Sequence, residues 1–347
     1  MKKPLLFFVM LLLQGSLLAQ KKGDGFRFID HMNEKQIDVT YDGKLLTSYY
    51  YADSVMKPVL YPINSLGGVT VTRGFPLAPR PGERVDHPHH IGLWMNYEYV
   101  NGLDFWNNST AIPFKERAHY GSIVHQSVLK NTTGKNSADL EVSAHWVDRS
   151  GKTLLNEVTH YTFRVDDDNF IIDRSSTLTA VVPTVAFNDV KDGFLGIRVA
   201  RQLEHPSTEP EIFVDNKGNY TSVPAINNDG ITGEYLSSEG KKGNDVWGTR
   251  GTWTSLRGKI NRVPVSITIF DHPKNVGYPT YWHARGYGLF AANPLGQAVF
   301  SKGTEKLNFA LKKDESTTFR YRVVIRSGSE LSTEAIQKLS KDFSKVK

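Results

Sequence analysis

The sequence predicts an all-β protein, a large β-sandwich with one short helix at its C-terminal end. Three observations lead there. Short segments of alternating or β-branched residues recur along the chain. The gaps between them are clusters of Gly, Asn, Asp and Ser, which tolerate positive φ or bond their own backbone. No helical stripes alternate with the strands, as a parallel α/β sheet or barrel would require.

In chain order the expected strands are 37–41, 44–51, 69–73, 122–129, 140–147, 154–165, 170–178, 181–187, 194–200, 261–270, 287–291, 306–311 and 317–325. In Asn156-Glu157-Val158-Thr159-His160-Tyr161-Thr162-Phe163 successive residues alternate in character, the period-two pattern of a strand. Turns are expected at Tyr41-Asp42-Gly43, Asn131-Thr132-Thr133-Gly134, Arg149-Ser150-Gly151, Asp166-Asp167-Asp168-Asn169 and Asn227-Asn228-Asp229-Gly230, and in 237–243. Only the tail reads as helical. Ser332 or Thr333 is placed to cap a helix with Ala335, Ile336, Leu339 and Phe343 along one stripe.

Residues 1–19 have the pattern of a secretory signal: Lys2 and Lys3, an apolar run from Leu5 to Leu13, then small or neutral residues up to Ala19. A periplasmic or secreted protein is therefore expected, with no membrane span in the mature chain. Residues 20–347 are expected to form a single domain, and the polar stretch 204–242 a long insertion over one face. The chain has no cysteine, so neither a lipid-attachment cysteine nor a disulfide framework is available. Its net charge of +6 falls to +4 without Lys2 and Lys3, and the basic residues are scattered. No basic run with interleaved aromatics marks a nucleic-acid groove. The sequence has no GxxxxGK[ST], no Rossmann glycine fingerprint, no HExxH and no GxSxG, which argues against a nucleotide cofactor and against serine-esterase chemistry.

Three stretches have the side chains that chemistry needs. The first is Asp86-His87-Pro88-His89-His90-Ile91-Gly92-Leu93-Trp94, with three of the eleven histidines in four positions. In an extended chain His87 and His89 would converge on one face and His90 would point away. Two imidazoles with a carboxylate such as Asp86 or Glu83 suit a divalent metal; the same pair suits general acid–base catalysis or sugar binding, and a purely structural polar corner is the third reading. The second is Asp271-His272-Pro273 at the end of an apolar strand, followed by Tyr281-Trp282-His283-Ala284-Arg285. The third is Asn188-Asp189-Val190-Lys191-Asp192, a crowded turn leading to Arg198 in an otherwise apolar strand. A buried arginine needs a carboxylate partner, and the alternative is that it binds a carboxylate or hydroxyl-rich ligand. Trp94, Trp106, Trp247, Trp253, Tyr281 and Trp282 lie near these polar clusters, as stacking platforms for sugar rings would.

With these motifs, and with Val100-Asn101-Gly102-Leu103-Asp104-Phe105-Trp106 and Tyr287-Gly288-Leu289-Phe290-Ala291-Ala292-Asn293-Pro294-Leu295-Gly296, the chain resembles the bacterial family labelled PmoA-like, across most of its mature length. That family usually has Thr and Glu where this chain has Val190 and Asp192. The label's methane-oxidising membrane subunit needs several long apolar spans, which this sequence lacks beyond its first residues. The resemblance instead implies a secreted protein of a polysaccharide-degrading bacterium, with a sandwich of the galactose-mutarotase-like kind.

The function expected is a carbohydrate-active enzyme, a glycoside hydrolase, lyase or epimerase-like protein, acting on a glycan fragment by histidine and carboxylate acid–base chemistry. His87, His89 and His283 are assigned to proton transfer, with Asp189 and Asp271 as carboxylate partners. Lys191, Arg198 and Arg285 would stabilise developing negative charge. Trp94, Trp106 and Trp282 form the expected sugar platform, and His90, His272 and Asn293 bond substrate. Two alternatives are a non-catalytic glycan-binding sandwich and a metal-dependent oxidase or hydrolase holding its ion with His87 and His89.

Overall fold

The computed structural model describes residues 23–346, so the signal assigned to residues 1–19 lies outside the described part. Two antiparallel eight-stranded sheets face each other. The first runs Phe26–His31, Gln36–Tyr41, Lys44–Tyr50, Val59–Ile63, Leu93–Tyr97, Gly193–Arg198, Leu289–Asn293 and Tyr281–Ala284 in spatial order. The second runs Glu234–Ser237, Trp253–Ile260, Val263–Asp271, Ser316–Ser327, Asn169–Ala180, Thr153–Asp166, Ser137–Val147 and Ser122–Thr133. Sequence neighbours pair as hairpins. Asp42 and Asp167 take left-handed φ of 49° and 51° at two of the tight turns, a conformation their short polar side chains tolerate.

Strand alternation builds the core. Leu93, Met95, Leu195, Ile197, Phe290 and Ala292 of the first sheet meet Leu140, Val142, Phe163, Ile172, Ile267 and Ile325 of the second, all buried. The helix Thr333–Phe343, capped by Ser332 Oγ accepting from Ala335 N at 3.2 Å, covers the outer face of the second sheet with Ile336 and Phe343 against Ile171, Phe270 and Val324. Among the described residues, no helix is long and apolar enough to cross a membrane.

Several expected strands differ in extent. Residues 69–73 make only the isolated bridges Asn64↔Thr70 and Thr72↔Val199. The strand expected at 287–291 begins at Leu289, because Gly288, at φ 91°, closes a turn by bonding Arg285 O at 3.0 Å. Within 204–242, Glu211–Val214 and Tyr220–Val223 form a hairpin that bonds the 82–85 loop, and Glu234–Ser237 becomes an edge of the second sheet.

Candidate functional site

The same alternation that fills the core presents Trp94 and Asn96, Gly196 and Arg198, Ala291 and Asn293, and Tyr281 and His283 on the face of the first sheet turned away from the second. Trp94 and Trp106, their planes 56° apart, pack against this face because Gly196 leaves room. A Cβ there would stand 2.8 Å from Trp94 Cζ2 and 3.0 Å from Trp106 Cη2. Both indoles are buried under the 87–90 segment, and Trp282 points the other way, into the core. None of the three offers an exposed face to a ligand, which corrects the expected sugar platform.

Over the tryptophans sits a buried ion cluster. Asp86 Oδ1 accepts from Arg73 Nη1 and Arg198 Nη2, each at 2.7 Å, and the two arginine side chains are 1% and 0% exposed. Asp86 Oδ2 meets His87 Nδ1 at 2.5 Å. Burial pushes the Asp86 carboxyl up, but the His87 hydrogen bond and the charges of Arg198 and Arg73 outweigh it and hold the group well below the usual carboxylate range. Burial draws Arg73 down to about 9, with the neighbouring Arg198 charge adding to the effect. The arginine placed in an apolar strand therefore has the carboxylate partner it needs. Next to this cluster, Arg84 Nε donates to Glu204 Oε2 at 2.7 Å and ties the 204–242 insertion to the same loop.

The 87–90 segment is a turn, not an extended chain. His87 adopts φ 46°, and His90 N donates to His87 O at 3.0 Å. His90 consequently does not point away. Its ring lies parallel to His87 at 4.8 Å, and His87 lies parallel to Tyr287 at 5.1 Å. His90 also stacks on Trp94 at 5.1 Å, so a column of rings joins the buried indole to the surface. His89 and His90 are buried, and burial drives both imidazoles well below their ordinary pKa, with the Lys57 charge adding for His89 and the His89 charge for His90. His87 alone of the three is open, its side chain 40% exposed. Lys57 lies beneath, its Nζ donating to His89 O at 2.8 Å, and burial lowers its amine to about 7.

A second group adjoins the first. His283 Nδ1 bonds Lys191 O at 2.8 Å and lies 3.6 Å from Asp192 Oδ1, while Lys191 Nζ pairs with Asp192 Oδ2 at 2.6 Å. Burial lowers His283 to about 4 against the pull of Asp192, so this imidazole is neutral at physiological pH. Glu98, partly buried beside Asp192 and Asp104, is raised to about 7 by burial first and by those two carboxylates second. Tyr287 joins the two groups. Burial raises its phenol, the charges of Arg198 and Arg285 oppose the rise, and those of Asp192 and Asp86 add to it. Arg285 lies over both Tyr287 and Trp247, at 5.7 Å and 5.5 Å, and Trp247 is 39% exposed.

Four other expected site residues serve the scaffold. Asp189 accepts from Ala298 N, Leu307 N and Asn308 N, fastening loops and not facing the histidines. Asp271 accepts from His272 N, Asn275 Nδ2 and Thr280 N, and burial lifts it to about 7. His272 is buried against Phe343 of the C-terminal helix. The second Asp-His-Pro thus belongs to the second sheet and does not wall the histidine site. Asn293, also buried, holds the 188–192 turn by donating to Val190 O and Lys191 O at 2.9 Å each. Glu83, an alternative carboxylate in the sequence reading, is spent on Gly74 N, Phe75 N and Arg80.

Among the described residues, no three His, Asp or Glu side chains converge as a metal-holding set. With His87 Nδ1 directed at Asp86 and the His87 and His89 rings edge to face at 5.6 Å, the proposed pair does not fit a metal. Sequence reasoning missed Arg73, Lys57 and Glu98 as site residues. Glu98 was within reach, since Trp94, Asn96 and Glu98 fall on alternate positions of one strand and its extension. Arg73 and Lys57 had no local signal, because loops bring them to the histidines.

Solved structures with a similar course of chain include the GH36 α-galactosidase AgaB of Geobacillus stearothermophilus, at 11% identity and a TM-score of 0.40, matched over 87% of this chain and 41% of that one. The galactose 1-epimerase of Lactobacillus acidophilus follows at 10% and 0.38, matched over 88% and 99%. The putative aldose 1-epimerase of Escherichia coli K12 stands at 10% and 0.31, over 87% and 98%. This chain thus spans less than half the length of the α-galactosidase. All three names belong to sugar chemistry, yet at this distance they say nothing about which residues act here. No curated protein matches the chain. The PmoA-like resemblance is overturned by the family model that does match, which covers residues 36–341 and carries a different assignment. The chain belongs to DUF6807, a family of unknown function.

Proposed function

We propose that the protein is a carbohydrate-active enzyme of the periplasm or cell exterior that works on a glycan fragment by acid–base catalysis, with His87 as base and Glu98 as acid. The observation that carries this reading is the Asp86–His87 pair. An ionised carboxylate, fixed by two buried guanidinium groups, accepts from His87 Nδ1 and leaves Nε2 free on an exposed ring. A carboxylate that orients an imidazole through one nitrogen frees the other to take a proton. Glu98, raised to about 7, retains a proton to give at neutral pH. The exposed Trp247 supplies apolar ring surface for the C–H side of a sugar, and Arg285 beside it supplies positive charge for developing negative charge.

The test is a panel of polysaccharide fragments incubated with wild type, His87→Asn and Glu98→Gln, with products followed by proton NMR. Asn suits position 87 because it tolerates positive φ. Each variant should lose roughly 10²–10⁴-fold in turnover while its melting curve shows it cooperatively folded. A fragment that binds tightly yet emerges unchanged from wild type after long incubation would make the protein a glycan-binding module, and full turnover by His87→Asn would remove the histidine from the chemistry.

A further inference from the structure

A cavity of about 1020 Å³ lies away from the histidines. It opens where the hairpin of Glu211–Val214 and Tyr220–Val223 leans over the edge of the sandwich, and none of Asp86, His87, Glu98, Asp192, His283 or Tyr287 lines it. The hairpin is fastened as a wall: Gly82 N donates to Val214 O, Val214 N to Glu83 O and Val85 N to Ile212 O, at 2.7, 2.9 and 3.1 Å. Its volume is at the upper end of the range for small-molecule sites, roughly 300–1,000 Å³.

The chemistry of the lining selects the occupant. Its arginines are already engaged, Arg201 Nη1 and Nη2 with Gly82 O and Asn227 O at 2.7 and 2.8 Å, and Arg80 with Glu83 and Thr72 O. Arg201 also lies 4.0 Å from the centre of the Phe213 ring. Asp215 accepts from the backbone of Lys217 and Asn219, and Asp229 bonds Asn227. Among the described residues the side-chain amides of Gln202, Asn216 and Asn261, which line the cleft, take part in no hydrogen bond within the chain. Each amide is both donor and acceptor, as a hydroxyl is. Between them run the branched side chains of Val69, Val223, Ile260 and Val263. Neutral amides beside aliphatic surface match a ligand with hydroxyls on its edges and C–H groups on its faces, whereas the charged side chains of the lining already spend hydrogen bonds within the chain. We infer that this cleft is a second carbohydrate site, binding a neutral oligosaccharide independently of the chemistry at His87.

Isothermal titration of the full-length protein with cellohexaose, xylohexaose, mannohexaose and galactohexaose, beside oligogalacturonate as the charged control, tests the site. At least one neutral hexasaccharide should bind. Gln202→Ala and Asn216→Ala should each weaken that binding about tenfold, the order expected for losing one hydrogen bond to the ligand. Val263→Trp, which fills the cleft, should abolish it, and His87→Asn should leave it unchanged. Melting curves confirm that each variant is folded, and Asn216→Ala, in an exposed turn, is the variant least disturbing to the fold. Binding by none of the neutral sugars, binding by oligogalacturonate alone, or neutral-sugar binding indifferent to Val263→Trp would overturn the inference. Loss of binding in His87→Asn alone would place the sugar at the histidine site, a result that overturns the second site and leaves the enzyme reading standing.

Discussion

Asp86→Asn is the substitution that tests the site most directly. It keeps the size of the side chain and removes its charge. In the wild type, two guanidinium groups that are 1% and 0% exposed each donate to Asp86 Oδ1 at 2.7 Å, so the variant leaves two buried cations facing a neutral amide. Removing one partner from a buried pair costs roughly 3–5 kcal/mol, chiefly because the remaining charge stays desolvated. For a chain of this size each kcal/mol moves the midpoint by about 2 °C, so calorimetry should show a fall on the order of 5–10 °C. Arg198→Met placed in the Asp86→Asn background should recover part of that loss, because it removes one of the unpaired charges, and the double-mutant cycle should show a coupling of about 1 kcal/mol or more. The pH dependence follows from sign. The Asp86 pKa is depressed in the folded state, so its contribution is present above the unfolded carboxylate value of about 4 and is lost as pH falls below it. Asp86→Asn should therefore flatten the acid limb of the stability curve. A variant that melts within about 1 °C of wild type would mean that the arginines are solvated or paired elsewhere, and the fixed Asp86–His87 pair would fall with it.

Three further outcomes follow from the same geometry. Glu98 has a raised folded pKa of about 7, so the stability it contributes is present below its unfolded value of about 4.3 and lost as pH rises toward 7. Glu98→Gln should gain stability relative to wild type across that window in urea titrations at stepped pH, and equal slopes would refute the shift. Lys57 is lowered to about 7, which makes wild-type stability rise between about pH 7 and 10 as the unfolded chain loses its extra proton. Lys57→Met should remove that rise, and an unchanged slope would mean that the amine is solvated. Asp189→Ala and Asp271→Ala each strand three donors, at a cost of roughly 2–4 kcal/mol, and should lower the melting temperature while the folded protein keeps whatever turnover the wild type has. A selective loss of turnover at full stability would return either carboxylate to the site.

Local chemistry decided most of the fold. Period-two alternation from Thr153 to Ala180 and the acidic turn at Asp167 specify a hairpin without knowledge of the rest of the chain, and the stripe of Ile336, Leu339 and Phe343 specifies the last helix. Both are short-range properties of the backbone. The same alternation could have assigned Trp282 to the core, since Trp282 and His283 are adjacent in a strand and must face opposite sides. The sequence also marked the 86–94 stretch and identified Arg198 as a cation in need of a carboxylate. Only tertiary structure decided which carboxylate that is. Asp86 lies 112 residues away from Arg198, and the same fold that joins them sends Asp189 and Asp271 to fasten loops. It also decided which histidine is open, because the turn at His87 and the burial of His89 and His90 depend on what packs over the Trp94 and Trp106 face. Residue type and spacing specify hydrogen-bonding capacity and periodicity, which are local. Desolvation and charge pairing depend on which distant groups arrive at the same place, and these set the chemistry of Asp86, Lys57 and Glu98.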